Sequence, residues 1–185
     1  MPFFRRDMPD TPALFLVVMG VAGSGKSTLA EALAERTGAA WLEGDHFHSA
    51  SNRDKMAQGQ ALTDEDRASW LQALCEQLRQ RPGGLILACS ALKASYRDTL
   101  REAAPGLRFA FLDIGPDEAA RRVASRGGHF FSASLVDSQF ETLEPPVAEA
   151  GVLCLDAQRP LDELAGQVCH WLLGARSAPD PQASP

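Results

Sequence analysis

Gly20-Val21-Ala22-Gly23-Ser24-Gly25-Lys26-Ser27 sets glycines, a lysine and a hydroxyl at the spacing G-x-x-x-x-G-K-[ST]. Residues of these types in this order bind phosphate. The glycines let the backbone curl so that successive N–H groups point at phosphate oxygens. A helix beginning near Lys26 adds its positive dipole end and unpaired N–H groups. Lys26 reaches the β- and γ-phosphates as a point charge, and the Ser27 hydroxyl ligates Mg²⁺. Gly20, Ala22, Gly23, Ser24, Gly25, Lys26, Ser27 and Thr28 are therefore the expected nucleotide contacts, with Mg²⁺ as the implied metal. The apolar run Leu14–Met19 before the motif and the helix-like stretch from Thr28 to Arg36 after it weigh against a chance glycine-rich turn.

A second group of reactive residues follows in Trp41-Leu42-Glu43-Gly44-Asp45-His46-Phe47-His48. Parallel α/β sheets bind ligands at the carboxyl ends of their strands, which puts Glu43 and Asp45 beside the phosphate loop. A carboxylate there orients or deprotonates an attacking hydroxyl, or holds Mg²⁺ through water. Asp45 is the expected catalytic acid–base group, and Glu43 the candidate for the water-mediated metal role. His46 and His48 lack a spaced third ligand and make a weak metal site. His48 is read as substrate-facing and His46 as solvent-exposed. Ser90, at another strand end, is a candidate donor to the substrate, with a tight strand-to-helix turn as the equal alternative. Arg97 follows on a helix, either meeting an anion or facing solvent. Arg121, Arg122 and Arg126 run into Gly127-Gly128-His129, which reads as a lid over a triphosphate. In that reading Arg126 is catalytic, Arg122 binds the nucleotide and His129 the substrate. The bland reading pairs the arginines with Asp117 and Glu118.

These residues need a frame, and the chain supplies one. Strand-like runs at 14–19, 39–43, 84–88, 108–113 and 151–155 alternate with helical segments, which implies a parallel sheet covered on both faces. The expected architecture is α/β, a P-loop NTPase fold of five parallel strands in the order 2-3-1-4-5, with a lid and substrate-binding helices. The clearest helix spans 63–81, with Thr63 as its cap, Asp64, Glu65 and Asp66 at its positive end and Pro82-Gly83 as its stop. Trp70 recurs with Leu71, Leu74 and Leu78 at helical spacing and reads as core rather than a ligand platform. Further helices are expected over 116–126, 132–143 and 160–173, the last carrying Leu161, Leu164, Val168, Trp171 and Leu172 on one side. Residues 13–173 then form one kinase domain, with a lid at about 126–135. Residues 1–12 read as a flexible leader and 174–185 as a disordered tail.

Composition narrows the class. Across 185 residues there are 18 Lys and Arg against 24 Asp and Glu, a net charge of −6 that argues against a nucleic-acid surface. No apolar run is long enough for a membrane span. Cys75, Cys89, Cys154 and Cys169 form no C-x-x-C pair and read as free thiols of a reducing cytoplasm. The guanine signature N-K-x-D is absent, and Asp162-Glu163 sits in a helical segment, unlike the Mg²⁺-binding pair of a motor ATPase. A small-metabolite or nucleoside-phosphate kinase remains.

The chain resembles the gluconokinases of the shikimate-kinase-like group of P-loop kinases. The matching segments are Met19 to Ser27, Gly44-Asp45 with His48, Asn52 with Lys55-Met56, and Gly59 with Leu62-Thr-Asp-Glu-Asp-Arg67 and Trp70-Leu71. They continue through Cys89-Ser-Ala-Leu-Lys93, Tyr96-Arg97-Asp98, Gly128-His-Phe130 and Ser138-Gln-Phe-Glu-Thr-Leu-Glu144 with Pro145. The resemblance covers about residues 14 to 173. It implies Mg²⁺-dependent transfer of the γ-phosphoryl of ATP to the 6-hydroxyl of D-gluconate. It places Asp45 near the acceptor hydroxyl, Arg67 on the substrate carboxylate and Asp156 to Pro160 beside adenine. Bidentate pairing gives Arg67 a physical reason for its role. Two departures stand out: Glu43 where the family usually has Asp, and Ser49 where it usually has Pro. A kinase for shikimate or a nucleoside monophosphate, and a non-catalytic nucleotide sensor, are the alternatives. A homodimer is compatible with the sequence.

Overall fold

The computed structural model describes residues 13–125 and 133–174. The expected leader, most of the expected lid and nearly all of the expected tail lie outside these residues, as do Arg126 and His129.

Five parallel strands, β1 (Leu14–Met19), β2 (Trp41–Glu43), β3 (Gly84–Ala88), β4 (Arg108–Asp113) and β5 (Val152–Asp156), lie in the order β2-β3-β1-β4-β5. That is the expected order. Both neighbours of β1 are parallel to it, Val17 pairing with Leu87 on one side and Phe109 on the other. Side chains alternate across the pleat. Leu16 and Val18 face a core shared with α1 (Lys26–Thr37) and α7 (Leu161–Gly174), through Leu29, Leu33, Leu164 and Val168. Val17 and Met19 face the other core, built with Trp70, Leu74 and Leu78 of α3 (Asp64–Arg79) and Leu100 of α4 (Ala94–Ala103). With helices on both faces, β3 is apolar and buried along its whole length.

The element ends have local causes. Thr63 and Asp66 form a reciprocal capping box, each side chain accepting from the other's backbone N–H. The helix stops at Arg79, and Gly84 N–H closes the following turn onto Arg81 O. β5 starts one residue later than expected because Gly151 has φ +72°, outside the strand region. Leu161 is 39 % exposed, so the buried part of the apolar side of α7 begins at Leu164. Between β2 and α3 the chain forms a 3₁₀ turn (Gly44–Phe47) and α2 (Ala50–Ala57), followed after β4 by α5 (Pro116–Ser125) and α6 (Ala133–Thr142). No helix among the described residues is long and apolar enough to cross a membrane.

Candidate active site

A cleft of about 260 Å³ opens at the carboxyl edge of the sheet. The phosphate loop forms its floor. β1 ends at Met19, and α1 begins at Lys26 after a cap at Gly25 with φ +99°. A Cβ on Gly25 would meet nothing within 4 Å among the described residues, so this left-handed residue leaves the cradle open where phosphate must approach. The Gly20 N–H donates to Ser90 O at 3.4 Å, tying the loop to the end of β3. Lys26 Nζ donates to Val21 O at 3.0 Å, and Ala22 N–H donates to Oε1 of Gln139 at 2.6 Å. One peptide unit, Val21–Ala22, is thus held from both sides.

The end of β2 forms one wall. The Ser27 hydroxyl donates to the Glu43 carboxylate, which also accepts from Asp45 N–H at 3.4 Å and so caps the 3₁₀ turn. Hydroxyl and carboxylate oxygens side by side suit a hard cation, so Ser27 and Glu43 fit the expected Mg²⁺ shell. Gly44 packs where a Cβ would come within 2.6 Å of Ala88 O. That close approach lets Trp70 Nε1 donate to Gly44 O at 2.8 Å. The Trp70 ring carries His48, stacked at 4.7 Å and 6°. Trp70 is therefore core, as expected, and also the platform that fixes His48. His48 is buried, its Nδ1 has no partner among the described residues, and its Nε2 lies 4.0 Å from the Asp45 carboxylate. Burial lowers the His48 pKa below its ordinary value; Asp45 opposes this, and Arg67 and Arg53 add to it. His46 is exposed, as expected.

The opposite wall comes from α2 and α3. Ser49 caps α2 by accepting from Asn52 N–H at 3.1 Å, a use for serine where proline would lack the hydroxyl. Asn52 Nδ2 donates to Asp66 O, and Lys55 pairs with the Asp66 carboxylate, both at 2.6 Å. These bonds lock α2 to α3 and aim Arg67 into the cleft, where its Nη1 donates to Leu62 O at 2.6 Å.

Of the expected site residues, the structure brings Ala22, Gly23, Gly25, Lys26, Ser27, Glu43, Asp45, His48, Arg67 and Ser90 together around the cleft. Gly20 and Ser24 are buried residues of the loop that do not line the cleft, while Thr28 is exposed on the first turn of α1. Arg122 makes the contact the bland reading anticipated, donating to Glu118 and also to Ala157 O. The 2.7 Å pair with Glu118 leaves Arg122 on the flank near the segment expected to border adenine.

Arg97 needs correcting. It is neither at the substrate nor in solvent, being 1 % exposed. Its Nε donates to Glu149, its Nη1 to Ala91 O and Leu92 O, and its Nη2 to Glu144 O and Glu149. All five N–H groups are used, so none is left for an anion. Two of the carbonyls it holds, Ala91 O and Leu92 O, belong to the loop that presents Ser90, and the third, Glu144 O, follows α6. Ala91 in that loop has φ +44°, a strained conformation for a residue with a Cβ. Arg97 is therefore a clamp on the loop after β3.

Gln139 lines the cleft and was missed as a site residue. It shares the cleft with Leu135 and Ser138 of α6, three and four residues apart, a spacing that marks one helix face.

A glycine-rich loop leading into a helix, with a carboxylate at the end of a nearby parallel strand, defines a P-loop kinase. Residues 15–146 match the family model described as "AAA domain". Over 150 residues, 79 % of the chain and 86 % of the relative, the sequence is 45 % identical to the thermoresistant gluconokinase of Escherichia coli. It is 44 % identical to the gluconokinase of Gluconobacter oxydans over 151 residues, 80 % of this chain and 85 % of that one. The crystal structure of a gluconokinase from Sinorhizobium meliloti superposes with a TM-score of 0.79 at 43 % identity, over 89 % of this chain and 98 % of that one. The chain belongs to the gluconokinase family.

Proposed function

We propose that the protein transfers the γ-phosphoryl group of ATP to the 6-hydroxyl of D-gluconate, in the cytoplasm and with Mg²⁺. The observation that carries this reading is that Asp45 and Arg67 face one cleft whose floor is the phosphate loop. Family membership supplies the acceptor. Mg²⁺, when bound with the nucleotide, neutralises charge on its β- and γ-phosphates.

The protein's own contribution is positioning. Loop N–H groups and Lys26 hold the phosphates, and Ser27 with Glu43 holds the metal shell. Asp45 accepts the proton of the attacking hydroxyl, and the neutral His48 beside it supplies a hydrogen bond without a competing charge. The planar guanidinium of Arg67 pairs with the gluconate carboxylate, and this fixes which end of the chain-like substrate reaches the phosphoryl group. Ser90 donates to a substrate hydroxyl from the clamped loop. Arg122 serves the nucleotide from its flank.

The test is to incubate the protein with Mg-ATP and D-gluconate and to locate the new phosphate by ³¹P NMR. A phosphomonoester coupled to the C6 protons is expected. Phosphate at another carbon, or ATP hydrolysis indifferent to gluconate, would overturn the reading.

A further inference from the structure

The bond between Ala22 and Gln139 joins residues 117 positions apart and occupies part of the phosphate cradle with protein. Only the oxygen of the Gln139 amide can meet an N–H, so Oε1 is the atom that faces Ala22. An amide oxygen on a cradle N–H stands where a phosphate oxygen would stand. Its place in the cradle follows from Lys26, whose ammonium serves the β- and γ-phosphates and lies 3.0 Å from Val21 O. Val21 O and Ala22 N–H belong to the same peptide unit. Ala22 therefore marks the γ end of the cradle, away from the N–H groups at the start of α1 that take the β-phosphate.

Gln139 is held where it is by its own segment. Five residues on, Glu144 accepts from Ala94 N–H at 2.7 Å and donates its N–H to Leu92 O at 2.9 Å. Its carbonyl accepts from Arg97 at 3.1 Å. The C-terminal end of α6 is thus anchored to the start of α4, and Gln139 projects from it to the phosphate loop.

We propose that Gln139 is a positioning residue that occupies the γ-phosphate end of the cradle in the nucleotide-free protein and competes with the triphosphate for Ala22 N–H. The proposal rests on the phosphate-loop reading above. It gives Gln139 a distinct signature. Removing the side chain leaves Ala22 N–H facing the cleft, where water replaces the amide and is displaced more readily. Gln139→Ala therefore binds a triphosphate about fivefold more tightly, the effect of one net hydrogen bond, while its affinity for a diphosphate stays the same. Gln139→Glu keeps an acceptor for Ala22 N–H, makes the bond charge-assisted and sets a negative charge against the γ-phosphate. It binds the triphosphate at least about tenfold more weakly, again with little change for the diphosphate. A helix residue with only a packing role would lower both affinities together in both variants.

Calorimetric titration of the wild type and both variants with Mg²⁺ and the imido analogue of ATP, and separately with ADP, decides the matter without any acceptor. Opposite shifts for the two variants, confined to the triphosphate analogue, are the expected result. Variants that match the wild type, or shift in the same direction, would overturn the role of Gln139 while leaving the nucleotide site intact. A wild type that binds neither ligand would overturn both.

Discussion

Glu43 touches Ser27: the carboxylate that ends β2 accepts a hydrogen bond from the hydroxyl of the residue that follows Lys26 at the start of α1. Two elements far apart in sequence thereby share one oxygen cluster beside the phosphate loop. Outer partners of a metal shell typically govern metal affinity by about 10- to 100-fold. Glu43→Ala should raise the Mg²⁺ concentration for half-maximal activity by about tenfold, with kcat at saturating Mg²⁺ falling less. Glu43→Asp, the family's usual residue, should change it no more than about threefold. Mg²⁺ titrations of ADP release read both. Equal Mg²⁺ requirements in wild type and Glu43→Ala would remove Glu43 from the shell.

Lys26 and Asp45 serve the transfer itself, and both side chains border open cleft rather than core. Lys26→Ala should lower kcat by about 100-fold or more, the usual loss for one transition-state charge contact. Asp45→Asn keeps the shape and removes the proton acceptor, with a similar or greater loss. Melting temperatures should stay near that of the wild type, so a variant that loses activity by unfolding is recognised at once.

Arg97 belongs to stability. Arg97→Met leaves Ala91 O without its side-chain donor, Leu92 O with Glu144 N–H alone and Glu149 with Arg101 alone, which should cost about 2 kcal/mol or more. Arg97→Lys should rescue little, since an ammonium cannot reproduce the fork that spans Ala91, Leu92, Glu144 and Glu149. Urea unfolding measures both. A stable Arg97→Met variant would contradict the clamp.

His48 gives the protein an acid-side sensitivity. Its folded pKa is lowered, mainly by burial, so the unfolded chain binds the proton more readily. This group's contribution is whole above the ordinary histidine pKa of about 6.5 and is lost as pH falls from there towards the lowered folded value. Asp45 faces the ring against this trend, while Arg67 and Arg53 reinforce it. Between pH 7.5 and 5 the melting temperature of the wild type should fall more than that of His48→Asn. Parallel curves would mean that His48 titrates as it does in the unfolded chain.

Much of the fold was legible because local chemistry and global packing agree. Uniformly apolar runs became the central strands, Thr63 with its acids capped α3, and the phosphate loop followed β1. The site was legible where residues lie at strand ends, as Glu43, Asp45 and Ser90 do, because parallel sheets gather such ends on one edge. Two residues escaped for different reasons. Arg97 reads in sequence like any surface arginine, and only the fold shows that Glu149 and three carbonyls converge on it. Gln139 meets Ala22 through a contact that no local pattern announces, although its helix face was readable. Trp70 shows a third case: its helical spacing marks it correctly as core and hides the ring face that carries His48.

The central claim is that this cleft passes phosphate to gluconate. ADP release with Mg-ATP, measured with D-gluconate, shikimate, a nucleoside monophosphate and no acceptor, tests it most directly. The account predicts rapid release with gluconate and only background release in the other three, because a site built to pair a carboxylate and hydroxyls penalises acceptors that leave them unpaired. Faster turnover with shikimate or a nucleoside monophosphate, or release that ignores the acceptor, would contradict it.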